Sequence, residues 1–200
     1  GQELGGRPDL VQHWFTTMLQ YSLVHTVSDQ YRDFGEIGGA CLAMIAKNHG
    51  FELGPEVAMT AVAPIRFLPA HSDVPPALKR LREDGYRLIT LTNSSSSVAK
   101  DQLQNAGLDE LFDARFSVED LGLFKPHAHV YRWAARRAGV KPSDCMLVAA
   151  HGWDVAGASW AGMKTAFVAR PEQQVYPLGP TSDFIVPSLK ELPDEMANRI

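Results

Sequence analysis

From residue 74 onward, short apolar runs alternate with segments of helical spacing, and this alternation constrains the fold more than any other feature. Two of the runs, residues 86–93 and 145–150, are rich in apolar residues and lead into polar or glycine-containing turns. Strands with apolar side chains on both faces are typical of a parallel sheet that helices cover on both sides. The sequence therefore predicts an α/β fold built from βαβ units.

The predicted elements of this region follow one another in regular order. We expect helices at residues 74–84, 97–106, 127–138 and 153–161, strands at residues 86–93, 116–118, 145–150, 165–169 and 183–186, and a short final helix from Ser188. Together these elements predict an α/β domain over residues 71–200.

The first 70 residues have a different pattern of apolar side chains. Apolar side chains recur there at helical spacing, and no strand pattern interrupts them. We expect helices at residues 9–27, 33–49 and 55–64, which together predict a small helical domain over residues 1–70.

The composition excludes several classes of protein. The 200 residues are 45% hydrophobic and carry a formal net charge of −4 without a basic stripe, which argues against nucleic acid as a partner. No apolar stretch approaches the roughly 20 residues of a membrane span, and residues 1–8 lack the apolar core of a signal peptide. Cys41 and Cys145 lie in apolar runs without metal-ligand spacing, which predicts buried free thiols. We therefore expect a soluble cytoplasmic protein that binds neither nucleic acid nor membrane.

Polar residues follow the first apolar strand. Ligands in open α/β sheets bind where strands end and helices begin, and free N–H groups at a helix start suit an anion. Thr92, Asn93 and Ser94 lie at such a junction of a strand end and a helix start, here called a corner, so we expect them to contribute to a site. For Ser96 and Ser97, ordinary capping of the next helix is the favoured interpretation.

A lysine occupies a second corner of this kind. Lys125 ends an apolar stretch and precedes Pro126, which restricts it to an extended backbone. A fixed ammonium near a helix start suits the stabilisation of a carboxylate. His127 and His129 cannot share one helix face, so we expect surface residues rather than a metal pair.

The third corner follows the second apolar strand, at residues 150–158. Asp154 falls in the first turn of the predicted helix, where a carboxylate interacts favourably with the helix dipole. Asp154 as a plain helix-start residue and His151 as a plain turn residue are equally good interpretations of this corner alone. Taken with the other two corners, we expect Asn93, Lys125 and Asp154 to converge.

The three corners also carry a resemblance. The matching segments are Thr92-Asn93-Ser94, Lys125-Pro126 followed by Tyr131, and His151-Gly152-Trp153-Asp154-Val155-Ala156-Gly157-Ala158. Their order and spacing resemble the haloacid dehalogenase superfamily and, more narrowly, its type II L-2-haloacid dehalogenases. Trp14, Tyr21 and Tyr31-Arg32-Asp33-Phe34 resemble the family's cap domain. The resemblance implies a Rossmann-like core with a parallel sheet and a helical cap. It further implies hydrolysis of short 2-haloacids without metal or organic cofactor, by a homodimer.

The resemblance implies a role for each matching catalytic position. Lys125 would keep a nucleophilic aspartate ionised, and Tyr131 and Asp154 would complete the polar network around it. Thr92 and Asn93 would bind the substrate carboxylate or orient the nucleophile.

The substrate-binding positions include one departure from the family. Phe34 and Trp153 would line the apolar pocket for the halide end. Phe15 stands where the family commonly has an arginine that reaches the substrate carboxylate. Either the backbone N–H groups around Asn93 and Ser94 suffice, or the substrate differs from the usual haloacid.

The family's nucleophile is an aspartate in an Asp-x-Tyr-Gly-Thr segment that ends the first strand. Residues 1–200 contain no such segment, and Asp9, Asp29 and Asp33 fall in helical or turn contexts. We therefore expect a nucleophile-bearing strand to precede Gly1 in the working protein, since two inner strand edges would otherwise be unpaired. The alternative is a non-catalytic relative that binds a small acid or a partner chain.

Two further positions separate the alternatives. His151 stands where many dehalogenases carry asparagine, and a neutral imidazole acts as a base near pH 7, so we expect it to activate water. The other interpretation is a turn histidine bonded to backbone. A Mg²⁺-dependent phosphatase of the superfamily usually has a second carboxylate four positions before Asp154, where this chain has Ala150.

Overall fold

The structure, a computed structural model, describes residues 7–198. Residues 1–6, on which part of the predicted absence of a signal peptide rests, lie outside the described residues. The elements are α1 (Pro8–Val27), α2 (Phe34–Asn48), α3 (Pro55–Val62), α4 (Val74–Glu83), β1 (Ile89–Thr92), α5 (Ser96–Asn105), β2 (Ala114–Ser117), α6 (Ala128–Arg137), β3 (Met146–Ala149), α7 (Gly152–Trp160), β4 (Lys164–Val168), β5 (Phe184–Val186) and α8 (Leu192–Ala197). Within residues 7–198, no helix is long and apolar enough to cross a membrane.

The predicted helices and strands are present, with small shifts at their ends. The chain continues after α3 as a 3₁₀ helix over Ala63–Phe67, and a 3₁₀ turn at Leu189–Glu191 precedes α8. Local chemistry explains these boundaries. Asp33, for example, accepts hydrogen bonds from the N–H groups of Gly35 and Glu36 and so begins α2.

Contacts divide the chain into two units. Among residues 7–198, the first, here the helical unit, contains residues 7–68, 92–107 and 117–124, and the second, here the sheet unit, contains residues 69–91, 108–116 and 125–198. The core of the helical unit is a cluster of small and aliphatic side chains from α1, α2 and α3, namely Leu10, Leu42, Ile45, Ala46 and Ala58. The division into domains at residue 70 stays a prediction.

The strands form two sheets. β3, β4 and β5 pair in that order and in parallel, with Met146 opposite Lys164 and Ala166 opposite Phe184, which confirms the predicted parallel arrangement. β1 and β2 form a separate two-stranded sheet, and no strand of residues 7–198 joins it to the other.

The two apolar runs are only partly buried in the structure. All four residues of β1 are half-buried, and Val148 of β3 is 38% exposed. The reason is that β1 and β3 each pair with a single strand in the described part of the chain, whereas β4 lies between two strands and is buried from Thr165 to Val168.

The cysteines follow the prediction only in part. Cys41 is a buried free thiol, and burial raises its pKa to about 11. Cys145 is a free thiol that is only half-buried, because it stands directly before β3, itself incompletely covered.

Candidate active site

Lys125, Tyr131 and Asp154 form a buried polar network in the sheet unit. The Lys125 ammonium donates a hydrogen bond to Oδ2 of Asp154 at 2.6 Å, and the Tyr131 hydroxyl donates to Oδ1 at 2.6 Å. Tyr131 is completely buried, and Lys125 and Asp154 are 9% and 4% exposed. Burial, reinforced by the charge of Asp154, raises the pKa of Tyr131 far above its usual range, so the phenol stays a donor. These short charge-assisted bonds hold the ammonium in one position.

The local sequence explains how the three side chains meet. Asp154 lies in the first turn of α7, where the helix dipole stabilises a carboxylate. Tyr131 belongs to the buried face of α6. Gly157 leaves room for both helices and the lysine loop, because a Cβ atom there would lie 2.5 Å from Cβ of Pro126 and 3.0 Å from the Tyr131 hydroxyl.

His151 and Trp153 flank this network. The two rings stack with 5.5 Å between their centroids, and the Lys125 ammonium lies 5.9 Å from the centre of the Trp153 ring. Burial lowers the pKa of His151 below its usual value; the charge of Asp154 raises it in part, and that of Lys125 lowers it further. The imidazole is therefore neutral at pH 7 and can accept a proton.

Trp153 also lines a cavity of about 470 Å³ in the sheet unit. Pro126, Trp160 and Tyr176 line the same cavity, and its surface is mostly apolar. The other residue predicted for the halide pocket, Phe34, belongs to the helical unit, so a shared pocket stays a prediction. His127 and His129 are exposed, as predicted.

The helical unit has a cavity of its own, of about 120 Å³. Phe34, predicted to bind substrate, lines it together with Trp14, and the Phe34 ring packs on Phe124 at 5.6 Å between centroids. Ser94 and Ser95 line the cavity as well.

Thr92 is the last residue of β1, and Asn93 and Ser94 follow it before α5, as predicted. The Thr92 hydroxyl accepts a hydrogen bond from the N–H of Ser94, and Asn93 is 7% exposed. Both residues belong to the helical unit, whereas Lys125 and Asp154 belong to the sheet unit. The predicted convergence of Asn93 with those two residues therefore stays a prediction.

The predicted capping of α5 by Ser96 or Ser97 is wrong. The helix begins at Ser96 after Ser95, whose side chain makes no capping bond. The N–H of Ser96 instead donates to the carboxylate of Glu119 at 2.9 Å. A distant acidic residue therefore satisfies the helix start, which local sequence does not reveal.

The placement of Phe15 and Arg66 relative to the helical-unit cavity differs from what the sequence suggests. Phe15, predicted to bind substrate, is half-buried and is not among the residues that line the helical-unit cavity, although its neighbour Trp14 is. Arg66 lines that cavity, and sequence reasoning missed it. The signal that could have found it is a single cation between Ile65 and Phe67 in an otherwise apolar turn.

Comparison with known proteins gives consistent matches. The sequence model of the haloacid dehalogenase-like hydrolase family matches residues 44–162, more than half of the chain. (S)-2-haloacid dehalogenase 4A of Burkholderia cepacia is 28% identical over 169 residues, which cover 82% of this chain and 73% of that protein. The (S)-2-haloacid dehalogenase of Pseudomonas sp. strain YL is 27% identical over 88% of this chain and 76% of that protein. The solved structure of L-2-haloacid dehalogenase from Xanthobacter autotrophicus with covalently bound chloropropionic acid has a TM-score of 0.88 at 25% identity, over 94% of this chain and 85% of that one.

Proposed function

Because this chain belongs to the haloacid dehalogenase-like hydrolases, we propose that it removes halide from short 2-haloalkanoic acids by hydrolysis and releases 2-hydroxy acids. Its fold is the Rossmann-like α/β core with a helical cap that the sequence predicts. The observation that carries the proposal is the buried Lys125 ammonium, held 2.6 Å from Asp154. A fixed cation in a water-poor site stabilises a reactive carboxylate far better than a solvated one does.

The proposed reaction has two steps. A carboxylate oxygen attacks C2 of the haloacid, and the halide leaves with the electrons of the carbon–halogen bond. Lys125 keeps that carboxylate ionised, while Tyr131 and Asp154 hold Lys125 in place. Thr92 and Asn93 orient the reacting groups. Water then cleaves the ester, which returns the carboxylate and releases the 2-hydroxy acid.

Halide release is the direct test of this function. The resemblance places the attacking carboxylate in an Asp-x-Tyr-Gly-Thr segment, which residues 1–200 do not contain, so the assay uses the full-length protein. We expect chloride release from L-2-chloropropionate, with formation of lactate, and much slower release from the D enantiomer. Failure with both enantiomers would reject the proposal.

A phosphatase is the competing function within the superfamily. Mg²⁺ prefers several oxygen ligands, and the position four residues before Asp154, which usually supplies a second carboxylate in those enzymes, is Ala150. Ala150 therefore favours the dehalogenase. Magnesium-dependent hydrolysis of p-nitrophenyl phosphate, without chloride release from 2-chloropropionate, would favour the phosphatase instead.

His151 is the proposed base of the second step. Replacing His151 by alanine is expected to leave halide loss intact but to stop ester hydrolysis, so the ester accumulates and is detected as a mass increase of the protein. His129→Ala, which removes an exposed histidine of the same unit, is the control and should turn over normally. Normal turnover of His151→Ala would reject this role.

The pH profile offers a second measure of the same role. Because burial lowers the pKa of His151, the acid limb of ester hydrolysis should lie below the ordinary imidazole value of about 6.5. Hydrolysis is thus fully active above that pH and is lost as the ring becomes protonated at lower pH. A limb above the ordinary value would contradict the assignment.

The setting of the reaction follows from the same resemblance. We propose a cytoplasmic homodimer in which residues 1–70 form the cap and residues 71–200 the core, with no organic cofactor and a small 2-haloacid as the only ligand. Exposed apolar side chains on α1 support an interface on that helix, since Leu23, Val24 and Val27 are 41%, 44% and 82% exposed.

A further inference from the structure

The cavity of the helical unit combines an apolar wall with a single cation. Trp14 and Phe34 supply aromatic surface, Ser94 and Ser95 supply hydroxyl and backbone groups, and Arg66 is the only Lys or Arg among its lining residues. Its volume of about 120 Å³ is enough for a ligand of a few non-hydrogen atoms. A small anion with an apolar end matches this chemistry.

Arg66 is paired with Asp101, and its guanidinium has further N–H donors for a ligand. Its Nη1 donates to Oδ2 of Asp101 at 2.5 Å, and the side chain is 34% exposed. Nε and Nη2 make no hydrogen bond to other described residues. Since a guanidinium has five N–H donors, it can bind a second carboxylate without leaving Asp101.

One carboxylate of the protein also lines the cavity, and its charge is already compensated. Oδ1 of Asp33 accepts hydrogen bonds from the N–H groups of Gly35 at 2.7 Å and Glu36 at 3.3 Å. The positive end of the α2 dipole offsets part of the remaining charge. The carboxylate of Asp33 therefore does not neutralise the guanidinium of Arg66.

We propose that Arg66 binds the carboxylate of the substrate in this cavity. The halogen-bearing end then lies against Trp14 and Phe34, which fits a short 2-haloacid. This inference rests on the proposed function and names the residue that selects an acid. Phe15, where the resemblance leads one to expect the arginine, does not line the cavity, so the cation comes from the 3₁₀ helix Ala63–Phe67 instead.

Removal of the guanidinium should weaken substrate binding without slowing chemistry. In Arg66→Met, the KM for L-2-chloropropionate should rise about tenfold to a hundredfold, with kcat changed by less than about threefold. Arg66→Lys keeps the charge but loses the planar fork, so its KM should lie between those of the wild type and Arg66→Met. Arg80→Gln, which removes an exposed arginine paired with Asp84, is the matched control and should leave KM unchanged.

A purely structural role of Arg66 makes a different prediction. If Arg66 served only to pair with Asp101, then Asp101→Asn and Arg66→Met would raise KM equally. We expect Asp101→Asn to change KM by less than about threefold, because the guanidinium remains in the cavity. Equal effects of the two variants, or an unchanged KM in a folded Arg66→Met protein, would overturn the proposal.

Binding of an unreactive acid separates this inference from the proposed function. Dissociation constants for propionate and for its neutral isostere propionamide are measured by ligand-detected NMR on wild type and Arg66→Met. We expect the variant to lose affinity for propionate and to keep its weak affinity for propionamide. Propionate binding that is independent of Arg66 would overturn the inference. Arg66-dependent binding by a protein that releases no halide would reject only the dehalogenase function.

Discussion

Replacing Asp154 by asparagine is expected to abolish most halide release and to lower the free energy of unfolding by about 3 kcal/mol. The loss of stability follows from burial, because breaking a buried ion pair leaves the other charge in a poorly solvated place. Asp154 also accepts the Tyr131 hydrogen bond at 2.6 Å, so two donors lose their charged acceptor together. The loss of activity should reach about a hundredfold, since Lys125 is no longer fixed.

Urea unfolding and initial rates of chloride release measure the two effects. Asp84→Asn removes the carboxylate of the exposed Arg80–Asp84 pair and should cost less than about 1 kcal/mol. The double variant Lys125→Met/Asp154→Asn should regain part of the lost stability, because the buried ammonium is gone, and should stay inactive. An Asp154→Asn protein as stable as the wild type would show that the buried pair contributes nothing to folding.

Replacing Gly157 by alanine is expected to disturb the network of Lys125, Tyr131 and Asp154 by adding a methyl group beside it. In Gly157→Ala, the new Cβ would stand 2.5 Å from Cβ of Pro126, so the proline, the neighbouring Lys125 or α7 itself must move. Overpacking of this kind costs about 1–3 kcal/mol, which exceeds the gain of up to about 1 kcal/mol from alanine's better helix propensity. We expect a lower melting temperature and a fall in kcat of about a hundredfold, because the ammonium shifts.

Thermal unfolding and kcat are compared with those of Gly54→Ala. Gly54, the N-cap of α3, has no heavy atom within 4 Å of an added Cβ and a φ of −66°, so its substitution causes no overpacking and should cost less than about 1 kcal/mol, through the weaker capping by alanine. A Gly157→Ala protein with the melting temperature and kcat of the wild type would mean that the approach of Pro126 and Tyr131 to α7 is not required.

Much of the fold could be predicted because the relevant signals are local. Helices such as α4 and α6 have a strongly apolar face and clear end signals, so periodicity alone places them. Burial was harder to predict. Val148 lies in a continuous apolar run yet is partly exposed, because burial depends on neighbouring strands rather than on the run itself.

In the candidate site, too, some residues could be predicted from local sequence and others could not. The run around Asp154 is distinctive in sequence, and its bonds to Lys125 and Tyr131 are present in the structure. Arg66 carries no comparable motif. Its role depends on a cavity whose walls come from four separated stretches of chain, around Trp14, Phe34, Arg66 and Ser94.

The sequence by itself determined the order of helices and strands, the parallel α/β class and the identity of the polar residues at strand ends, since each is encoded in spacing over a few residues. Only the tertiary structure decided that Glu119 satisfies the start of α5, that β1 and β3 are partly exposed, and that Arg66 is the cation of the helical-unit cavity. The physical reason is that a hydrogen bond, a buried area or a cavity wall joins residues far apart in the chain, and no local pattern records which distant partner will be there.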